Sequence, residues 1–428
     1  MREMKDSGVE WIGAVPSSWQ TLTIGSLFKV RNEKVNDVDY PPLSVSKGGI
    51  VPQMENVAKS DASDNRKMVL ANDFVINSRS DRKQSCGVSP LDGSVSLINI
   101  VLYPAKDAPI IPAYLNYLMK NHGFAEEYYR WGHGIVADLW TTRWQEMKSI
   151  LLPIAPKVEQ QRILDRISEK TEKVDVLISN VQSQIEKLKA YKQSLITEAV
   201  TKGLDPTVPM KDSGVDWIGE IPEHWGTVKL QYCARIRSGI TLGKRYPVGT
   251  ETIERPYLRV ANVQSGGVVL DNVKTVEVSM ADDLQYRLSS GEVLMTEGGD
   301  RDKLGRGCVW QGQIEPCLHQ NHIFALQPND LLDSQFLAYM TASNVGRVYF
   351  DITAIKTTNL ACTNSSKVLA FRFPLPDKGE QNDIVAVLDK KCSQIDRLIA
   401  IKQAKIEKLE QYKRSLIYEY VTGKKEVI

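Results

Sequence analysis

The sequence predicts an α+β fold in which two α/β domains are separated by a pair of long antiparallel coiled-coil helices, written as a pseudo-two-fold internal repeat. Three observations predict it. MKDSGVEWIGAVPSSW at Met4–Trp19 returns as MKDSGVDWIGEIPEHW at Met210–Trp225, identical at eleven of sixteen positions and displaced by 206 residues. IEKLKAYKQSLI at Ile185–Ile196 returns as IEKLEQYKRSLI at Ile406–Ile417, identical at nine of twelve. EQQRILDRI at Glu159 answers EQNDIVAVL at Glu380, with the same offset of 221 as the second pair. The two offsets differ by fifteen, so the second copy carries about fifteen extra residues between its shared parts. A repeat this long is a duplicated two-part module and not a solenoid unit.

The elements follow in chain order. Each copy opens with the WIG motif, residues 4–19 and 210–225, whose tryptophans and Pro16 or Pro222 suit a structural clasp at the start of a domain. A variable block follows, in which the copies have diverged to sketches such as PPLSVSKGGIV from Pro41 beside RPYLRVANVQSGGVV from Arg255. Apolar, proline-containing runs, LLPIAP and FPLPD, then lead into the shared helices. From Lys157 to Val200 there is no proline or glycine, and Ile167, Val174, Val181, Leu188 and Leu195 keep a strict seven-residue step. About 44 residues at roughly 1.5 Å each make a rod on the order of 65 Å. Leu388, Ile395, Leu409 and Leu416 hold the same register in the second copy, with Lys402 intruding. Lys-Gly-Leu-Asp-Pro at 202–206 stops the first rod. The expected segments are 1–156, 157–203, 204–376 and 377–428. Because a domain usually has its termini close together, the second rod should start near the end of the first and run back along it.

Composition excludes several classes. The 428 residues are long enough for more than one core, and 42% hydrophobic with 25% charged is ordinary for a globular protein. No window approaches the apolar length of a membrane span, and MREMKDSGVEW has no apolar core of a secretory signal. Six scattered cysteines read as reduced, cytoplasmic residues. A net charge of +2 neither demands nor excludes a nucleic-acid partner, since local clusters decide.

Duplex DNA has its own two-fold backbone symmetry, and two readers related by a two-fold axis match it. The basic polar loops in the variable blocks are the candidate readers. NSRSDRKQS follows the strand-like DFVI and GGDRDKLGRG follows EVLM, and both lead toward the strand-like INIVLYP and HIFALQP. The loops thus occupy equivalent places in the two copies. Arginine binds guanine edges, glutamine pairs with adenine and lysine neutralises phosphate, which selects Arg79, Arg82, Lys83 and Gln84, with Arg301, Lys303 and Arg306. Lys244, Arg245, Arg259 and Asn262 are secondary candidates. A solvated charged hairpin is the bland alternative for both loops.

No catalytic, cofactor or metal site is expected. GITLGKR at Gly239 has three residues between its glycines where a phosphate loop needs four, and Arg245 stands where Ser or Thr would hold magnesium. Cys308, Cys317, His319 and His322 lack paired zinc-ligand spacing. An adenine-methylation motif and a glycine-rich methyl-donor loop are also absent.

The paired KDSGVxWIGxxPxxW motifs, the EQ helix starts and the IEKLxxYKxSLI helix ends resemble the specificity subunit of type I restriction-modification systems, over the whole chain. The resemblance implies two target-recognition domains, each reading one half of an asymmetric bipartite target on double-stranded DNA, with the helices as antiparallel spacer. It implies two modification (methyltransferase) subunits docked on the helical regions, restriction/translocase subunits recruited to the complex, and no membrane partner. S-adenosylmethionine would belong to the methyltransferase subunits, and ATP with Mg2+ to the motor-nuclease subunits, so this chain would be a non-catalytic reader. A structural coiled-coil adaptor whose globular domains bind proteins is the competing reading.

Overall fold

The structure is a computed structural model that describes residues 2–53, 64–79, 82–134, 140–264, 266–299, 304–305, 307–356 and 361–427. Two compact units form, Met1–Gln182 with Ala404–Ile428, and Ser183–Gln403. Each unit therefore holds one variable block and half of each long helix.

Unit 1 contains strands β1 (Gln20–Thr23), β2 (Phe28–Val30), β3 (Phe74–Asn77), β4 (Cys86–Val88), β5 (Asn99–Pro104) and β6 (Leu151–Ile154), with helices α1 (Pro112–Lys120) and α2 (His122–Arg130). The long helix α3 (Lys157–Lys202) starts here and continues into unit 2. Unit 2 repeats the set as β7 (Gly226–Lys229), β8 (Ala234–Ser238), β9 (Val293–Thr296), β10 (Gly307–Val309), β11 (Ile323–Pro328) and β12 (Arg372–Leu375), with α4 (Ser334–Ala342), α5 (Asn344–Thr353) and the long α6 (Lys378–Val421). The main sheet of unit 1 has the order β4-β3-β5-β2, and that of unit 2 the order β10-β9-β11-β8. Strand for strand these are one topology. The apolar proline runs are β6 and β12, which pair antiparallel with β1 and β7 in matching register, Gln20 opposite Ile154 and Gly226 opposite Leu375.

The runs INIVLYP and HIFALQP toward which the basic loops lead are the strands β5 and β11. Each loop first closes a hairpin with a short extra strand, β4 or β10, and the apolar run comes after one further short strand, Gly93–Val95 or Leu318–His319, and lies on the other side of β3 or β9. Gly87 explains why β4 is so easily overlooked. A side chain there would meet Asn116 and Gly49, so the strand carries little of the usual apolar signal.

The repeated WIG motif is a hairpin, Met4 opposite Pro16 and Met210 opposite Pro222. Its DSG letters make a tight turn: Asp6 accepts the Gly8 N–H at 3.0 Å, and Asp212 accepts that of Gly214 at the same distance. Both glycines have φ of +70°, a conformation that costs other residues and not glycine. The tryptophans that close the motif are buried, Trp19 fully and Trp225 at 1% exposure. Their indoles donate to the glutamates that open the EQ pairs, Trp19 to Glu159 at 2.9 Å and Trp225 to Glu380 at 2.8 Å.

The neighbouring glutamines are the second clamp. Gln160 donates to the carbonyls of Pro109 and Ala155 and accepts from Ile111 N. Gln381 donates to Leu331 and Pro376 and accepts from Asp333 N. Both are fully buried, so each amide satisfies backbone groups that the core would otherwise leave unpaired.

The helices α3 and α6 pack together antiparallel within each unit. In unit 1 Lys413 meets Asp175 at 2.6 Å, and Ile167 shares a core with Leu416 and Tyr420. In unit 2 Lys192 meets Asp396 at 2.6 Å and Lys402 reaches Gln184 at 2.6 Å, so rising numbers on one helix meet falling numbers on the other. The expected seam is the inward stripe: Ile167, Val174, Val181, Leu388, Ile395 and Leu416 are buried, and Leu188, Leu195 and Leu409 are half-buried. Lys402 is half-buried, its stem in the seam and its ammonium on Gln184, which is how the intrusion is tolerated. Gly203 and Gly423 terminate the helices, packed against Trp225 and Pro16 of the motifs in their own units.

Candidate nucleic-acid interface

The loop between β3 and β4 leaves the sheet where its burial ends. Phe74, Val75 and Ile76 are interior, Asn77 is half-buried and Arg79 is exposed. Asn77 accepts the Arg79 N–H at 3.0 Å, and Arg79 bridges to Thr141. Ser85 N donates to Arg82 O at 2.9 Å, which tightens the return, and Gln84 takes a φ of +63°. The Arg82 side chain is exposed. Lys83 lies along α2, with its ammonium 3.0 Å from Glu126 and 4.1 Å from the centre of the Tyr129 ring. Two of the four candidates thus face outward, while Lys83 is partly neutralised and props the loop on α2.

The equivalent loop of unit 2 joins β9 to β10, on the same strands of the same sheet. Arg301, Lys303 and Arg306 lie outside the described residues. The root of the loop is described: Gly298–Gly299 pairs with Ala361–Cys362, and Glu297 meets His322 at 2.6 Å. Leu304 is buried, and Gly305 lies against the Phe350 ring so closely that a side chain there would collide with it.

The secondary candidates divide. Arg245 is exposed, whereas Lys244 is paired with the buried Asp282 at 2.6 Å, which also takes the Tyr246 hydroxyl. That hydrogen bond to Asp282 raises the Lys244 pKa and holds its charge. Arg259 is half-buried and donates to Asn272 O at 3.3 Å. Asn262 is buried at 4% exposure; its oxygen accepts Arg259 N and its amide donates to Val269 O. Both ends of that amide are spent on its own turn, so the structure corrects the expectation that it faces a base.

Among the described residues no group of three or more His, Cys, Asp and Glu side chains converges as a metal site. Cys308 and Cys317 lie in an apolar cluster with Trp310, where burial pushes their thiols up to about 11 and about 12. Among the described residues no helix is long and apolar enough to cross a membrane.

Residues 222–411 match the model of the type I restriction modification DNA specificity domain. The chain is similar to type I restriction-modification specificity subunits. It is 28% identical over 288 residues to the type I restriction enzyme MjaVIII specificity subunit of Methanocaldococcus jannaschii, covering 65% of this chain and 62% of that one. It is 26% identical over 208 residues to the putative MjaX specificity subunit of the same organism, covering 48% and 47%. The chain thus spans about half to three fifths of these curated relatives. A chain from a solved structure of the type I R-M system, described for complex assembly and conformational transition, superposes with a TM-score of 0.67. That match covers 95% of this chain and 98% of the other at 16% identity, and it supports the fold.

Sequence reasoning passed over the glutamate and glutamine clamps, although the EQ pairs were visible as repeated letters. It also passed over Lys120, His122 and Arg414, which lie on helices and carry no motif.

Proposed function

We propose that this chain reads an asymmetric, bipartite DNA target, one half-site per unit, and brings methyltransferase and restriction subunits to it. The observation that carries the reading is the pair of basic loops. They spring from the same edge of the same four-stranded sheet in both units, yet share almost no sequence, whereas the clasps and clamps that hold each unit are duplicated nearly letter for letter. A protein that copies its scaffold and varies its loops suits two different half-sites. Arg79 and Arg82 in unit 1, with Arg301, Lys303 and Arg306 in unit 2, are the proposed contacts, and Arg245 and Arg259 are secondary ones.

Partner docking on the helical regions is supported by exposed apolar side chains there, Val176 and Leu177 in unit 1 and Leu398 and Ile401 in unit 2. Methyl transfer and cleavage would be the work of those partners. The test is DNA binding by the chain as a function of salt and sequence. A steep salt slope with preference for a selected site is expected, because phosphate contacts release counterions. Binding that is absent, or present without sequence preference at every salt concentration, rejects the reading.

A further inference from the structure

Unit 1 has a cleft of about 770 Å3 between the α1–α2 corner and the last turns of α6. Gln84, Asn116, Lys120, His122, Arg414 and Tyr418 are among its lining residues, and among the described residues no carboxylate lines it. Glu126 lies 3.8 Å from His122 and is already paired with Lys83, and Glu419 accepts the Ser415 hydroxyl at the rim. Lys120 and Arg414 have no ion pair or side-chain hydrogen bond among the described residues. Lys120 and Arg414, two cations facing one space with no anion paired to them among the described residues, repel each other unless something negative enters.

The repeat supplies the comparison. Arg414 corresponds to Gln193, Tyr418 to Thr197, Lys120 to Ala342 and His122 to Asn344. In unit 2 these positions are sewn together: Gln193 donates to Ala342 O at 2.8 Å, Asn344 N donates to Thr197 at 2.9 Å, and Arg347 reaches Gln193 at 3.4 Å. In unit 1 none of these bonds forms, and Tyr418 turns its hydroxyl to Trp11 O at 3.1 Å instead. One copy of the duplicated corner is closed by its own hydrogen bonds, with Arg347 engaged on Gln193, and the other is open, with Lys120 and Arg414 facing the space.

We propose that this cleft holds a phosphate of the DNA backbone, with Lys120 and Arg414 as its contacts. The inference rests on the DNA-reading function. Continuity favours DNA over an acidic protein segment, since Gln84 belongs to the basic loop and also lines the cleft. The backbone beside the half-site read by unit 1 then runs from the loop onto Lys120 and Arg414. Unit 2, with Ala342 and Gln193 there, lacks this grip, so the two half-sites contribute unequally to affinity at low salt.

The experiment measures binding of the full chain to a random-sequence DNA duplex across a range of KCl, with Lys120→Gln, Arg414→Gln, the double variant and Lys120→Arg. Each neutralising change should lower the slope of log K against log salt by about 0.9, and the double variant by about 1.8. Lys120→Arg should keep the slope. Equal thermal midpoints for all variants show that the fold is intact. A double variant with the parent's slope overturns the proposal, and if it has instead lost affinity for the purified modification subunit, the cleft is a protein dock. A parent chain with no salt-dependent DNA binding would remove the function reading itself, which the double variant alone cannot do.

Discussion

Trp225 donates its indole N–H to Glu380 at 2.8 Å across 155 residues of sequence, and Trp19 does the same to Glu159 at 2.9 Å across 140. The two contacts tie the last residue of each WIG motif to the first turn of a long helix. They explain why the motif and the EQ pair are repeated together while the blocks between them diverge.

Removing either clamp should destabilise the unit that holds it. Trp19→Phe and Trp225→Phe each lose a hydrogen bond to a charged group, a loss of about 1.5–3 kcal/mol. Gln160→Leu and Gln381→Leu each leave three backbone groups without their partner, one of them in a buried contact, and should cost about as much. Urea unfolding of the four variants checks this. Paired variants should show similar losses, and midpoints equal to the parent's would contradict the clamp.

Acid should weaken the fold through His319, which is fully buried. Burial, with the nearby Arg237 guanidinium, pushes its pKa down to about 4. An unfolded histidine titrates near 6.5, so between about 6.5 and 4 the unfolded chain holds more protons. Stability is therefore full above about pH 6.5 and falls by up to about 3 kcal/mol as pH drops to about 4. Unfolding midpoints measured across that range should fall less steeply for His319→Gln than for the parent; parallel curves would exclude His319 as a cause.

Lys402→Leu should strengthen the helix pair. The lysine stem already lies in the seam, and replacing its ammonium and the Gln184 bond with apolar contact should gain about 1 kcal/mol. A rise in thermal midpoint checks it, and a fall would show that the Lys402–Gln184 bond outweighs the lost packing.

Arg79→Ala with Arg82→Ala should weaken DNA binding, and so should Arg301→Ala with Arg306→Ala. A base-reading arginine is worth about 1–3 kcal/mol and relaxes specificity at one position, while a phosphate contact lowers the salt slope by roughly one. Binding titrations on the selected site at several salt concentrations separate the two roles. Unchanged affinity and slope in both double variants would return these loops to solvated surface.

The long helices were legible because their signal is local and periodic: Ile167, Val174 and Val181 announce a stripe with no reference to what covers it. The repeat was legible because its letters survive. What joined the repeated parts was not, since Trp19 and Glu159 meet only after 140 residues of intervening chain have folded. Asn262 misled for a related reason. An asparagine has the chemistry to read adenine, but a residue three positions from Arg259 can equally cap its own turn, and only the backbone decides between them. The cleft of unit 1 was invisible in sequence because Lys120 and Arg414 come from helices nearly 300 residues apart.

The central claim is that each variable block reads its own half-site, and methylome sequencing of a host expressing this chain with the proposed modification subunit tests it most directly. The parent should give one two-part motif. Replacing residues 20–150 with the matching block of a relative should change one half of that motif and leave the other half intact. A swap that alters both halves, or neither, would contradict the account.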